Sequence, residues 1–121
     1  MKSSDFRDLI VWQKSMSLAK EVYMLVKQLP REETYVLSDQ MRRAVVSVPS
    51  NIAEGHGRDS VKEFVRFLSV ARGSLRELST QLELCLLCNY LDKNSVQDAN
   101  SLIVEIDKML TALSSKLTTE N

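Results

Sequence analysis

Ser60-Val61-Lys62-Glu63-Phe64-Val65-Arg66-Phe67-Leu68-Ser69-Val70-Ala71-Arg72-Gly73-Ser74-Leu75-Arg76-Glu77-Leu78 is the stretch that decides the fold class. Val61, Phe64, Leu68, Ala71, Leu75 and Leu78 recur at steps of three and four, and Leu82 and Cys85 continue the series. That spacing lines one face of an α-helix with apolar side chains, whereas a half-buried strand needs strict alternation. Ser60 and Glu63 fit a capping box, in which the serine oxygen accepts from the Glu63 amide and the glutamate reaches back. The stretch predicts a helix over about 60–90. Gly73 in its interior costs about 1 kcal/mol relative to alanine, and close packing would account for it.

The same periodicity recurs on both sides. A first helix is predicted over about 8–29, ended by Pro30. It carries two stripes. Leu9, Trp12, Met16, Ala19, Tyr23 and Val26 form one; Leu18, Val22, Leu25 and Leu29 form the other. A bundle helix needs one stripe for its core, so either the core face is wide or one stripe meets another subunit. The expectation is that Leu18, Val22, Leu25 and Leu29 are the oligomer interface. A second helix is predicted over about 32–54, with Leu37, Met41, Ala44, Val45, Val48 and Ile52 inward. Pro49 should kink it and Gly55 and Gly57 should stop it. A fourth is predicted over about 95–117 through Val96, Ala99, Ile103, Ile106, Leu110, Leu113 and Leu117, with a frayed tail from Thr118.

Short connections between long helices make neighbours antiparallel. The expected fold is all-α: one domain over 1–121, an up-down-up-down four-helix bundle. Composition agrees. The 121 residues are 44% apolar and 26% charged, enough for a core, while 3 Gly and 2 Pro are too few for the many turns of a β-sandwich or a Rossmann-type fold. No apolar run approaches the roughly 20 residues that span a bilayer, and no signal peptide is visible. The expected protein is cytoplasmic, with no membrane partner.

The chain offers little for chemistry. One His and two Cys leave little material for a metal site, and no phosphate loop or nucleophile elbow is present. No catalytic residue, metal or cofactor is expected. Cys85 and Cys88 read as buried small hydrophobes, and His56 as an exposed loop residue. Asn51, Glu54, Ser74 and Glu77 interrupt helical faces near Pro49 and are expected to meet as a structural polar network, with Arg42 or Arg43 completing it. A Glu54–Glu77 acid–base pair is the catalytic alternative.

Sixteen Lys and Arg balance sixteen Asp and Glu, unlike a dedicated nucleic-acid coat protein. Basic residues nevertheless gather in Arg42, Arg43, Arg58, Lys62, Arg66, Arg72 and Arg76, and those from Lys62 to Arg76 share a sector of the third helix. They are the candidate phosphate-contacting surface. No aromatic side chain interleaves with the stripe, so base stacking is not signalled. A solvated face laced by ion pairs is the alternative.

Leu9-Ile10-Val11-Trp12-Gln13-Lys14, Gln40-Met41-Arg42-Arg43-Ala44-Val45-Val46-Ser47-Val48-Pro49-Ser50-Asn51-Ile52-Ala53-Glu54-Gly55, Glu63-Phe64-Val65-Arg66-Phe67-Leu68 and Gly73-Ser74-Leu75-Arg76-Glu77-Leu78 together resemble a known family. It is the four-helix-bundle proteins encoded in intervening sequences of bacterial 23S rRNA genes, also labelled S23 ribosomal proteins. The resemblance runs from about residue 6 to 115. It implies a non-enzymatic homo-oligomer, a pentameric ring of bundles. The genomic setting of the family implies ribosomal RNA or another nucleic acid as partner, by association and not by mechanism. A similar bundle, the accessory variability protein of diversity-generating retroelements, partners nucleic acid and a reverse transcriptase. The rival expectation is a scaffold for a protein partner.

Overall fold

The computed structural model describes residues 5–120. Among them are four α-helices, two short 3-10 turns and no strand: α1 (Ile10–Val26), α2 (Leu37–His56), α3 (Val61–Leu87) and α4 (Lys93–Glu120). Helix α1 touches α2, α2 touches α3, α3 touches α4, and α4 closes back on α1. The helices thus stand at the corners of a square around one core. Met41 meets Cys85, Ser47 meets Ser74, and Gly55 meets Phe64 and Phe67, so α3 descends as α2 rises.

The termini differ from the periodic reading for local reasons. Phe6–Asp8 forms its own 3-10 turn, capped by the Asp5 carboxylate on the Arg7 amide, so α1 begins at Ile10. Residues Lys27 to Leu29 tighten into i→i−3 bonds before Pro30. Arg31–Glu33 makes a second 3-10 turn, which delays α2 to Leu37. Glu33 then does two jobs. Its Oε1 accepts from the Leu37 amide at 3.3 Å, and its Oε2 accepts from the Tyr90 hydroxyl at 2.9 Å. One carboxylate therefore satisfies the start of α2 and ties it to the α3–α4 turn.

Helix α2 continues through Pro49 and through Gly55 to His56. Close approach of α3 requires glycine at 55: a Cβ there would stand 2.7 Å from Phe67 Cβ. Ser60 caps α3 by accepting from the Glu63 amide at 3.2 Å. The Glu63 carboxylate pairs with Arg66 of the same helix. Helix α3 ends at Leu87 because Asn89 takes a left-handed conformation (φ 62°), letting the Tyr90 amide bond back to the Cys85 carbonyl at 2.9 Å. Asp92 and Ser95 cap the start of α4 reciprocally. At its far end α4 stays helical to Glu120 where fraying was expected, with Thr118 and Thr119 hydroxyls donating to the Ser114 and Ser115 carbonyls.

The core is aliphatic, built on Leu18, Met41, Val45, Ile52, Leu68, Leu75, Leu78, Leu82, Ile106 and Leu110, all essentially sealed from solvent. Here the expected interface is corrected. Leu18, Val22, Leu25 and Leu29 are all buried within a single chain, so they cannot face another subunit. The other stripe is covered only in part: Val26 is buried and Trp12 and Ala19 pack against the core, while Met16 is 45% and Tyr23 43% exposed. Val11 and Ser15 extend the inward face of α1, and the buried Ser15 hydroxyl is satisfied by the Val11 carbonyl at 2.7 Å. Gly73 is corrected as well: no heavy atom beyond its own neighbourhood lies within 4 Å of the position its Cβ would take.

Candidate functional site

The polar groups around Pro49 form a smaller network than expected. Proline has no amide to offer the Val45 carbonyl, and polar side chains gather on the next turn. Asn51 Nδ2 donates to the Ser47 carbonyl at 2.7 Å and to Ser47 Oγ at 2.9 Å. Ser74 Oγ, from α3, donates to the same Ser47 Oγ at 2.8 Å. Ser47 is the hub, and its position one turn before Asn51 on the face toward α3 was the available signal.

Glu54 and Glu77 are not in this network. Glu54 is exposed and pairs with Arg58 at 3.1 Å, and Glu77 is exposed on the outer side of α3. Glu54 lies level with Phe67, its neighbour Gly55 touching that residue. Glu77 is ten residues further along α3, about 15 Å at 1.5 Å per residue. The two carboxylates therefore cannot act on one bond. Arg42 and Arg43 also stand apart from the network. Arg42 donates to the Thr34 carbonyl at 3.4 Å, and Arg43 pairs with Asp39 at 3.1 Å.

The basic residues split into separate groups. Arg72 and Arg76 both bind Asp107 of α4 at 3.2 Å, joining α3 to α4. Arg58, Lys62 and Arg66 gather at the α2–α3 corner, with Arg58 paired to Glu54 and Arg66 to Glu63. The Arg66 guanidinium holds the Glu63 carboxyl below its ordinary range, first through their hydrogen bonds and then through charge attraction. The Arg58 and Arg66 guanidiniums lie over the Phe67 ring, 5.0 and 4.5 Å from its centroid. An aromatic does accompany the basic cluster, contrary to the sequence reading. Phe67 looks like a core residue by composition, yet it sits to the side of the core stripe.

His56 and Cys88 exchange the surroundings expected of them. Because α2 runs on through Gly55, His56 stays on its last turn, 5% exposed, with its ring edge-to-face against Phe64 at 6.0 Å. Cys88 caps α3 and is exposed, while Cys85 is buried with its sulfur 3.7 Å from that of Met41. Burial pushes the Cys85 thiol up to about 11, so it stays protonated and unreactive at neutral pH. Among the described residues no three His, Cys, Asp or Glu side chains are grouped to hold a metal ion, and no helix is long and apolar enough to cross a membrane.

The feature the molecule does present is an apolar groove between α1 and α2. It is lined mainly by Trp12, Met16, Ala19, Tyr23, Val46 and Pro49, with Ser50 and Ala53 completing it, and holds about 440 Å³. No lining residue is charged. An open depression of about 600 Å³ between α3 and α4 is mixed in character, with Glu83, Lys93, Gln97 and Asn100 among its lining residues.

Residues 7–112 match the family described as 23S rRNA-intervening sequence protein. The chain belongs to that family. A solved structure of an S23 ribosomal family protein of unknown function, from Bacteroides thetaiotaomicron, is similar at 28% identity and a TM-score of 0.80. The similarity covers 87% of this chain and 98% of that one. No curated protein matches the chain. Membership in the intervening sequence protein family agrees with the resemblance seen in the sequence.

Proposed function

We propose that this intervening sequence protein is a non-catalytic binding protein, an antiparallel up-down-up-down bundle that assembles into a homo-oligomeric ring, pentameric as the family resemblance implies, and contacts structured RNA. The observation that carries the assembly is the uncharged groove between α1 and α2. Met16 and Tyr23 stand nearly half exposed beside Trp12 and Ala19, which pack against the core, and a contiguous apolar surface of that kind marks an interaction site.

The RNA contact assigned here is the Arg58, Lys62 and Arg66 corner. Both arginines are anchored on Phe67 and remain exposed, so phosphate oxygens can compete with Glu54 and Glu63 for them. Each copy binds weakly because those carboxylates oppose it, and a ring multiplies the weak sites. The balanced charge of the chain favours the rival reading, a scaffold for a protein partner.

Two measurements test the proposal. Light scattering should give a mass several times that of one chain; a monomer at all concentrations ends the assembly reading. Titration with ribosomal RNA fragments at several salt concentrations should show affinity falling steeply with salt. Arg58→Glu with Arg66→Glu should abolish binding. Unchanged affinity in that variant removes the corner, and no binding at low salt favours the scaffold.

A further inference from the structure

Hydroxyls inside these helices turn back on their own backbone. Ser15, Thr80 and Thr111 each donate to the carbonyl four residues earlier, at 2.7, 2.9 and 2.9 Å. Ser38 does not. It is 4% exposed, and its hydroxyl bonds to no group among the described residues. The carbonyl at that distance, Thr34, accepts from Arg42 Nη2 at 3.4 Å instead. A buried polar group without a partner is costly and calls for one. Ser38 opens on a pocket of about 310 Å³ at the start of α2, lined also by Tyr23, Lys27, Thr34 and Arg42 and by no carboxylate.

The backbone adds donors at the same place. Glu33 takes the Leu37 amide, and the Val36 carbonyl takes the Gln40 amide. Between them, the amides of Ser38 and Asp39 have no acceptor among the described residues. Such amides carry the positive end of the helix dipole. Arg42 stands one turn further on, half-buried, and its one long bond to Thr34 leaves most of its five N–H groups free. Arg43, Arg58, Arg66, Arg72 and Arg76 each hold a carboxylate, whereas Arg42 and Lys27 hold none among the described residues. The acids of this end are engaged or solvated. Asp39 pairs with Arg43, Glu33 is divided between the Leu37 amide and the Tyr90 hydroxyl, and Glu32 is exposed.

We infer that this pocket is a phosphate site, in which the Ser38 hydroxyl, the free amides at the start of α2 and the Arg42 and Lys27 cations hold one phosphate group. A carboxylate has two oxygens and leaves several of these donors unused. A phosphate monoester offers three terminal oxygens, enough for backbone, hydroxyl and guanidinium donors together. Binding also supplies the partner that the Ser38 hydroxyl lacks. The site is separate from the Arg58, Lys62 and Arg66 corner. Ser38 and His56 mark opposite ends of α2, about 27 Å apart at 1.5 Å per residue, so the inference does not depend on the RNA contact assigned to that corner. The phosphate belongs either to an RNA strand or to a small phosphorylated molecule, and the recognition chemistry is the same.

Titration of the isotope-labelled full chain with inorganic phosphate, followed by NMR, tests the site. The amide signals of Ser38 and Asp39 should move most and should saturate. Arg42→Gln, at a half-buried position, should keep the circular dichroism spectrum and weaken binding by about tenfold or more. Ser38→Ala is the sharper variant. It should weaken binding about threefold while stability stays equal or rises, because it removes a hydroxyl that the chain alone does not satisfy. Shifts that never saturate, or that persist at full affinity in Arg42→Gln, overturn the inference. So does a loss of stability in Ser38→Ala, which would show that the hydroxyl already has a partner in the chain. Competition then assigns the source. Displacement of inorganic phosphate by a short single-stranded RNA assigns the site to nucleic acid, and displacement by glycerol phosphate alone assigns it to a small phosphate monoester; displacement by neither overturns it.

Discussion

Helix α1 carries two apolar stripes, one aliphatic and one partly aromatic, that differ in fate. Leu18, Val22 and Leu25 are sealed in the core, while Met16 and Tyr23 on the adjacent face stand nearly half exposed. Apolar character alone does not separate them. What separates them is which face the other three helices close over, and the aliphatic stripe suits a closely packed interior where Trp12 and Tyr23 suit a surface that is covered in part. The two glycines make the same contrast. Gly55 is required by a neighbour in its own chain, and Gly73 is required by none.

The largest effect that would break this contrast is at Leu18. Leu18→Asp should cost more than about 4 kcal/mol, since it removes a buried side chain and puts an unpaired carboxylate in its place. Loss of the helical circular dichroism signal is the expected outcome. Met16→Asp, two positions away, should leave the fold intact. Equal loss in both would mean that the two stripes form one core face.

Gly55→Ala should destabilise by about 1–2 kcal/mol, because the crowding of Phe67 Cβ and Phe64 outweighs the gain in helix propensity. Chemical denaturation should show a lower midpoint with an unchanged slope. Gly73→Ala should move the midpoint the other way, by about 0.5–1 kcal/mol, when single chains are compared. A loss at Gly73 would show that it too is crowded within the bundle.

The smallest effect concerns the brace at the other end. The hydrogen bond to Glu33, with burial and the Glu33 charge adding to it, pushes the Tyr90 hydroxyl from an ordinary 10.0 up to about 12. A raised value means that the folded chain holds this proton more firmly than the unfolded one. The contribution is therefore complete below about pH 10 and is lost as pH rises through about 12. Tyr90→Phe should flatten the stability profile over that window relative to wild type, and an unchanged profile would remove the brace from the account.

The helices were legible in the sequence because their periodicity is long and regular, and their ends were not. Leu29 continues a stripe and so reads as helix, yet the backbone tightens before Pro30. Their i, i+3 spacing with Asn51 and Ser74 suggests that Glu54 and Glu77 join the polar network. That spacing permits a shared face and does not choose its direction, and Ser47 supplied the contact instead. The seven basic residues formed one surface on paper. Asp107, distant in sequence, takes Arg72 and Arg76, while Arg43, Arg58 and Arg66 pair with carboxylates three or four residues away.

Local order thus determined that this chain is helical, where each apolar stripe runs, that Ser60 starts α3 and that the family motifs are present. Backbone hydrogen bonds and stripe periodicity act over three or four residues, so a linear sequence records them. Which stripe is buried, that His56 is enclosed, that Arg58 and Arg66 share Phe67 and that Gly73 stands alone depended on assembly of the four helices. Burial and ion pairing are properties of surfaces brought together from positions tens of residues apart, and only the packed bundle brings them together.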